Sequence, residues 1–160
     1  MTGEQLAVAL GGGSGNVLVM DRIQDPGNIG TMIRTAEAAG YSAVVLVKGT
    51  GDVYSPKVVR AAAGSVLRMP FVFAEDAGKA CEILKDAGKK LIGTSVRRAR
   101  PFNEVDMRKN TALIIGNEGG GMSEEFHRLT DENVMIPMKG EIESLNAAVA
   151  AGIIMYHSSI

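Results

Sequence analysis

Three short segments carry side chains whose types and spacing could do chemistry. They are Asp25-Pro26-Gly27-Asn28-Ile29-Gly30 with Arg34 beyond it, Gly116-Asn117-Glu118-Gly119-Gly120-Gly121, and Ser144-Leu145-Asn146. Such a set of amides, one hydroxyl, one guanidinium and isolated acids can orient a ligand and stabilise a developing charge. It offers no Ser/His/Asp arrangement and no paired carboxylates for general acid–base work. His127 and His157 have no metal-ligand spacing with Cys81 or with each other, so no metal is expected and surface or structural roles are.

The Gly116–Gly121 loop follows the apolar run Ala112–Ile115. It is neither a Walker A loop nor a Gly-x-Gly-x-x-Gly fingerprint, which argues against a nucleotide-binding dehydrogenase. Glu118 at its centre would repel a phosphate but not a neutral or cationic ligand. Its glycines let the backbone approach a flat group such as adenosine. S-adenosylmethionine, which has no phosphate and a positive sulfonium, fits both conditions. A plain Gly-rich turn between a strand and a helix would account for the same residues.

Each remaining candidate also has two readings. Asn28 is a helix N-cap or a site residue. Arg34 pairs with Glu37 at i,i+3 or serves a ligand. Ser144 caps the helix that follows, or points with Asn146 into the mouth of a sheet. The run Arg97-Arg98-Ala99-Arg100 is a solvated loop or a phosphate contact, and so are Lys57 and Arg60 beside Tyr54.

The elements that must position these groups alternate. Strands are predicted at Val17–Met20, Ala43–Val47, Phe71–Phe73, Lys90–Ser95, Thr111–Ile115 and Val134–Pro137, and helices at Asn28–Ala39, Pro56–Ala63, Ala77–Ala87, Glu124–Thr130 and Leu145–His157. Apolar strands alternating with helices imply an α/β fold, a parallel sheet with helices on both faces. Ligands of such sheets bind at the carboxyl ends of the strands, where two of the three segments fall. The last helix is so apolar that burial nearly all round is expected.

At 160 residues the chain is expected to hold one domain, 17–160, after a Gly-rich tail or linker remnant, 1–16. A net charge of −1 gives no overall basic field, and only the stretch between Lys89 and Lys109 is locally basic. A single cysteine and the lack of a long apolar segment point to a cytoplasmic protein off the membrane.

Taken together, in this order and spacing, the three segments resemble the SpoU (TrmH-type) RNA 2′-O-ribose methyltransferases of the SPOUT superfamily, over roughly Val17 to Tyr156. The resemblance implies a deep trefoil knot spanning about Leu113 to Asn146, a rarity among folds, and a homodimer. It implies S-adenosylmethionine in the knot, among Thr94, Ser95, Gly116, Asn117, Glu118, Gly119, Ile136, Met138, Ser144, Leu145 and Asn146. By the same implication Asn28, Arg34, Glu118, Ser144 and Asn146 are catalytic. Arg34 would orient the ribose hydroxyl, with Asn28 and Glu118 holding it in place. The substrate would be tRNA or rRNA, with Lys57, Arg60, Arg97, Arg98 and Arg100 as RNA contacts. Many family members carry a separate RNA-binding domain ahead of this one. The expectation here is either an excised catalytic domain or recognition through the dimer surface. A non-catalytic module of the same fold is the alternative.

Overall fold

The computed structural model describes residues 13–160. In chain order the elements are β1 Val17–Asp21, α1 Pro26–Ala38, β2 Ala43–Val47, α2 Pro56–Ala61, β3 Phe71–Ala74, α3 Ala77–Asp86, β4 Lys90–Thr94, β5 Ala99–Pro101, β6 Thr111–Gly116, α4 Glu124–Leu129, β7 Glu132–Met135 and α5 Ala147–Ser158. The strands form one seven-stranded sheet, ordered β3-β2-β1-β6-β4-β7-β5, and every pairing is parallel.

Strands β1, β2 and β6 are buried along their whole length. The alternation of their side chains divides them between two cores. Leu18, Met20, Leu46, Leu113 and Ile115 pack with Ile29, Met32 and Ile33 of α1 and Ala151 and Met155 of α5. Val17, Val19, Val45, Ala112 and Ile114 pack with Ala80 and Leu84 of α3 and Phe126 of α4. A strand covered on both faces must be apolar at every position, which is why these runs are continuous.

Connectivity makes the site. From β1 the chain moves outward through α1 to β2, whereas from β6 it moves the opposite way through α4 to β7. Helices α1 and α4 lie on opposite faces, so a crevice opens between the carboxyl ends of β1 and β6. Helix α1 also crosses α2 closely. A Cβ on Gly30 would meet the Val58 carbonyl at 2.7 Å.

The structure departs from the sequence reading at several boundaries. Ala99 and Arg100, from the run read as a solvated loop or a phosphate contact, form with Pro101 the strand β5 on the edge beside β7. Pro101 is tolerated there because an edge strand leaves one row of N–H groups unneeded. Strand β4 ends at Thr94, leaving Ser95 in the loop. Asp25, not Asn28, caps α1 and accepts from the Asn28 N–H at 3.0 Å. Pro26 at the first helical position has no N–H to satisfy, which places the cap one residue before it. Asn146, not Ser144, caps α5, and its Oδ1 accepts from the Ala148 and Val149 N–H groups at 2.8 and 3.1 Å. Nor is α5 buried all round: Val149, Ile153 and Tyr156 are exposed.

Gly11 and Gly12 of the expected linker lie outside the described residues. Ser14, Gly15 and Asn16 are fastened to the amino ends of the strands. The Asn110 N–H donates to Ser14 O, Lys89 Nζ to Gly15 O, and the Asn16 amide to Met107 O.

Candidate active site

Glu118 is the hub of the crevice. Its carboxylate accepts from the backbone N–H groups of Gln24, at 3.0 Å, and Asp25, at 2.8 Å, and from the Asn28 side-chain amide at 3.4 Å. The Asn146 amide in turn donates to Asn28 Oδ1 at 3.1 Å. Three elements distant in sequence, the start of α1, the loop after β6 and the start of α5, are thereby joined in one chain of hydrogen bonds. Burial pushes the Glu118 carboxyl up, but the N–H groups of Gln24, Asp25 and Glu118 itself, with the Asn28 amide, outweigh it and hold the group below the usual carboxylate range. Glu118 is therefore an anion at neutral pH.

The loop that carries Glu118 is shaped by its glycines and by Asp21 and Arg22, at and just beyond the end of β1. A Cβ on Gly116 would collide with the backbone of Gly121 and Met122, because the chain doubles back there. Asn117 Oδ1 accepts from the Gly119 and Gly120 N–H groups at 2.9 and 3.0 Å, and its amide donates to Arg22 O at 2.7 Å. Arg22 adopts a left-handed backbone, φ 62°, and its guanidinium donates to Gly121 O at 3.1 Å. Asp21, wholly buried, accepts from the Ser123 N–H at 2.7 Å. None of Asp21, Arg22 and Gln24 stood out in the sequence. The run that contains them offered a signal only in hindsight, as polar residues ending an apolar strand.

Three adjoining clefts open on this assembly. One, about 160 Å³, is lined by Thr94, Ser95, Ile136, Met138, Ser144 and Leu145. A second shares Thr94, Ser144 and Leu145 with it and adds Gly116, Asn117, Glu118 and Gly119. The third lies between Gln24, Asp25, Asn28 and the Asn117–Gly119 loop. The residues expected around a cofactor thus line two continuous clefts, except Asn146, which sits at their rim as the α5 cap. The apolar walls suit an aromatic ring, and the ionised Glu118 suits a cation.

Residues 15–156 match the SpoU rRNA Methylase family. The chain belongs to that family. It is 44% identical over 157 residues to the 23S rRNA (guanosine(2553)-2′-O)-methyltransferase RlmP of Bacillus subtilis, an alignment covering 98% of this chain and 61% of that one. An AdoMet-bound rRNA methyltransferase from Sinorhizobium meliloti superposes with a TM-score of 0.86 at 35% identity, over 90% of this chain and 55% of that chain. The SpoU methyltransferase AviRb from Streptomyces viridochromogenes gives 0.85 at 35% identity, over 91% and 58%. The chain therefore spans little more than half the length of these SpoU relatives.

Within this SpoU domain, not every expected site residue joins the assembly. Arg34 lies six residues beyond Asn28 on α1, about 120° round the helix. It is exposed and makes no ion pair among the described residues. Asn28 and Glu118 bond to each other rather than to Arg34. Glu37 pairs with Arg68 at 2.7 Å, so the expected i,i+3 partner is engaged elsewhere. Of the expected RNA contacts, Arg97 makes a two-pronged pair with Glu124 at 2.8 and 3.0 Å, and Arg100 pairs with Glu132 at 2.9 Å. Arg98, Lys57 and Arg60 are exposed, with no ion pair among the described residues.

Proposed function

We propose that this chain is the catalytic domain of an S-adenosylmethionine-dependent RNA methyltransferase acting on a ribose 2′-hydroxyl in structured RNA, tRNA or rRNA. The observation that carries the reading is the Glu118–Asn28–Asn146 chain standing where the second cleft meets the third. The donor set fits the cofactor: apolar Ile136, Met138 and Leu145 for adenine, and an ionised Glu118 for positive charge. When bound, the cofactor supplies an electrophilic methyl group.

The chain's own residues position the reaction. Asn28 and Asn146 fix the carboxylate, and the Asn117–Gly121 loop presents backbone groups to the ligand. A guanidinium stays protonated at neutral pH. The role of Arg34 is to orient the hydroxyl and stabilise the alkoxide that develops on it. Alignment of hydroxyl and methyl group accounts for most of the acceleration.

A second copy of the chain belongs to this reading. Val149, Ile153 and Tyr156 follow one face of α5 at 4- and 3-residue spacing, and Ile160, also exposed, lies two residues beyond its end. Helix α5 lies against α1, with Gly152 beside the Thr35 methyl group, and Thr31 and Arg34 are exposed on that helix. A partner on this face would cover the stripe and take Arg34 into its own crevice, which explains why Arg34 does not join the site of its own chain. The trefoil knot over Leu113–Asn146 belongs here as well, supported by the insertion of β6 between β1 and β4. A cytoplasmic location, among tRNA and rRNA, belongs to the same reading.

Transfer of labelled methyl from S-adenosylmethionine to size-resolved cellular RNA tests the proposal. Label confined to one RNA class, and lost in Asn28→Ala, supports it. A thermal shift with the cofactor but no transfer assigns RNA recognition to other parts of a longer protein. No cofactor binding overturns the reading.

A further inference from the structure

The chain has four Phe and three Tyr, and three of these stand together where β3 forms the outer edge of the sheet. The rings of Tyr54 and Phe71 meet edge to face at 6.2 Å, and Phe73 lies 6.5 Å from Phe71. Phe71 is anchored against the core, whereas Tyr54 and Phe73 are 60% and 59% exposed. One exposed aromatic is ordinary. Two side by side, one on an open edge strand and one on the turn beside it, are a hazard that proteins normally cover or break with charge.

This ledge is continuous with the candidate active site. Beside it, a cleft of about 310 Å³ runs between Phe73, Glu75 and the loop Lys48–Val53. That loop is fastened to the end of β1. The Arg22 N–H donates to Thr50 Oγ1 at 3.1 Å, Thr50 Oγ1 donates to Met20 O, and the Gln24 amide donates to Gly49 O. Gln24 and Asp25, two and three residues beyond Arg22, are the backbone donors to Glu118. Three strand spacings separate β3 from β6, or about 14 Å. That is the span of up to about four stacked nucleotides at roughly 3.4 Å each.

The surrounding charge favours an anionic, ring-bearing ligand. Lys57 and Arg60 lie one turn apart on the exposed face of α2, just after Tyr54, and neither is ion-paired among the described residues. Of the two acids nearby, Asp52 is turned to its own loop, accepting from the Tyr54 N–H at 2.9 Å. Glu75 reaches Lys48 at 3.8 Å with both side chains largely in water, a weak pair. Aromatic faces flanked by free cations are how proteins hold single-stranded nucleic acid, by stacking its bases and tracking its backbone.

We propose that Tyr54 and Phe73 form a stacking subsite for an unpaired base of the RNA, a few nucleotides from the methylated ribose, with Lys57 and Arg60 on the intervening backbone. The inference rests on the RNA-methyltransferase reading and adds to it where the flanking strand runs.

The chain contains no tryptophan, so Tyr54→Trp introduces a single probe that preserves an aromatic face. Titration with a ten-nucleotide oligoadenylate RNA should quench its emission saturably, and adding Phe73→Ala should abolish the saturation. Leu67→Trp, at an exposed position outside the ledge, should show no saturable change. Equal quenching at both positions, or none at Tyr54→Trp, overturns the subsite. In methyl transfer, Tyr54→Ala and Phe73→Ala should each raise the half-saturating RNA concentration by about 5- to 150-fold, with kcat and cofactor affinity unchanged. Transfer by the unaltered chain with no such rise refutes the subsite alone. If the unaltered chain shows no transfer, the function is decided by cofactor binding and the subsite by the fluorescence titration alone. A change in sedimentation caused by Tyr54→Ala would assign the ledge to a protein contact instead.

Discussion

Asn146 faces two ways. Its Oδ1 closes the first turn of α5, while its amide nitrogen reaches Asn28 of α1 at 3.1 Å. One side chain thus fixes the direction of a helix and ties that helix to the carboxylate hub. Asn146→Asp keeps the cap oxygen and loses the donor. It should leave the melting temperature within about 2 °C of the parent while abolishing methyl transfer. Asn146→Ala loses both and should cost roughly 1 kcal/mol of stability, a fall of a few degrees in Tm for a domain of this size. Thermal unfolding monitored by circular dichroism, beside a transfer assay, separates the two functions.

Because Glu118 is held below the usual carboxylate range by hydrogen bonds that only the folded chain supplies, it takes up its proton at lower pH when folded than when unfolded. Its contribution to stability is fully present above the unfolded value of about 4.3 and is lost as pH falls through the folded value. The stability gap between the parent chain and Glu118→Gln should therefore be constant near neutrality and narrow in acid. Urea unfolding at several pH values reads it. A gap that widens towards acid would contradict the assignment.

If Arg34 serves a partner's crevice, two dead variants should rescue each other. Arg34→Ala and Glu118→Ala, each inactive alone, form mixed dimers in which one crevice of the two has both residues intact. After subunit exchange the mixture should recover about a quarter of parental transfer activity, since half the dimers are mixed and each has one competent site. No recovery would mean that Arg34 acts on its own chain's crevice.

Cys81 lies on α3 within the core, and its thiol is pushed up to about 11, chiefly by burial. Thiolate is the reactive form. A water-soluble thiol reagent at pH 7.5 should leave the native chain unmodified over hours and label it fully in denaturant. Rapid native labelling would show that α3 opens.

The sheet was legible because its central strands are covered on both faces and so read as unbroken apolar runs, as Ala43–Val47 does. Strand β5 was not, since Ala99-Arg100-Pro101 is short and lies at an edge. Only its register against β7, set by distant residues, makes it a strand. The exposed stripe on α5 was hidden for the opposite reason. Every residue from Ala147 to Ile154 is apolar or small, so no polar contrast shows which side faces outward. In the site, Asn28, Glu118 and Asn146 announced themselves through their motifs. The groups that orient Glu118 are mainly backbone N–H groups of Gln24 and Asp25, which any residue but proline would supply. Sequence has no letter for them.

The bonds that join the crevice bridge 93 residues, from Asp25 to Glu118, and 118 residues, from Asn28 to Asn146. During synthesis the N-terminal strands and α1 leave the ribosome long before α5. Until α5 emerges, the nascent chain has half a crevice and no means of completing it. On the proposed reading, cofactor capture becomes a late event in the life of each molecule, and a truncated or stalled chain would not compete with the finished protein for a scarce metabolite.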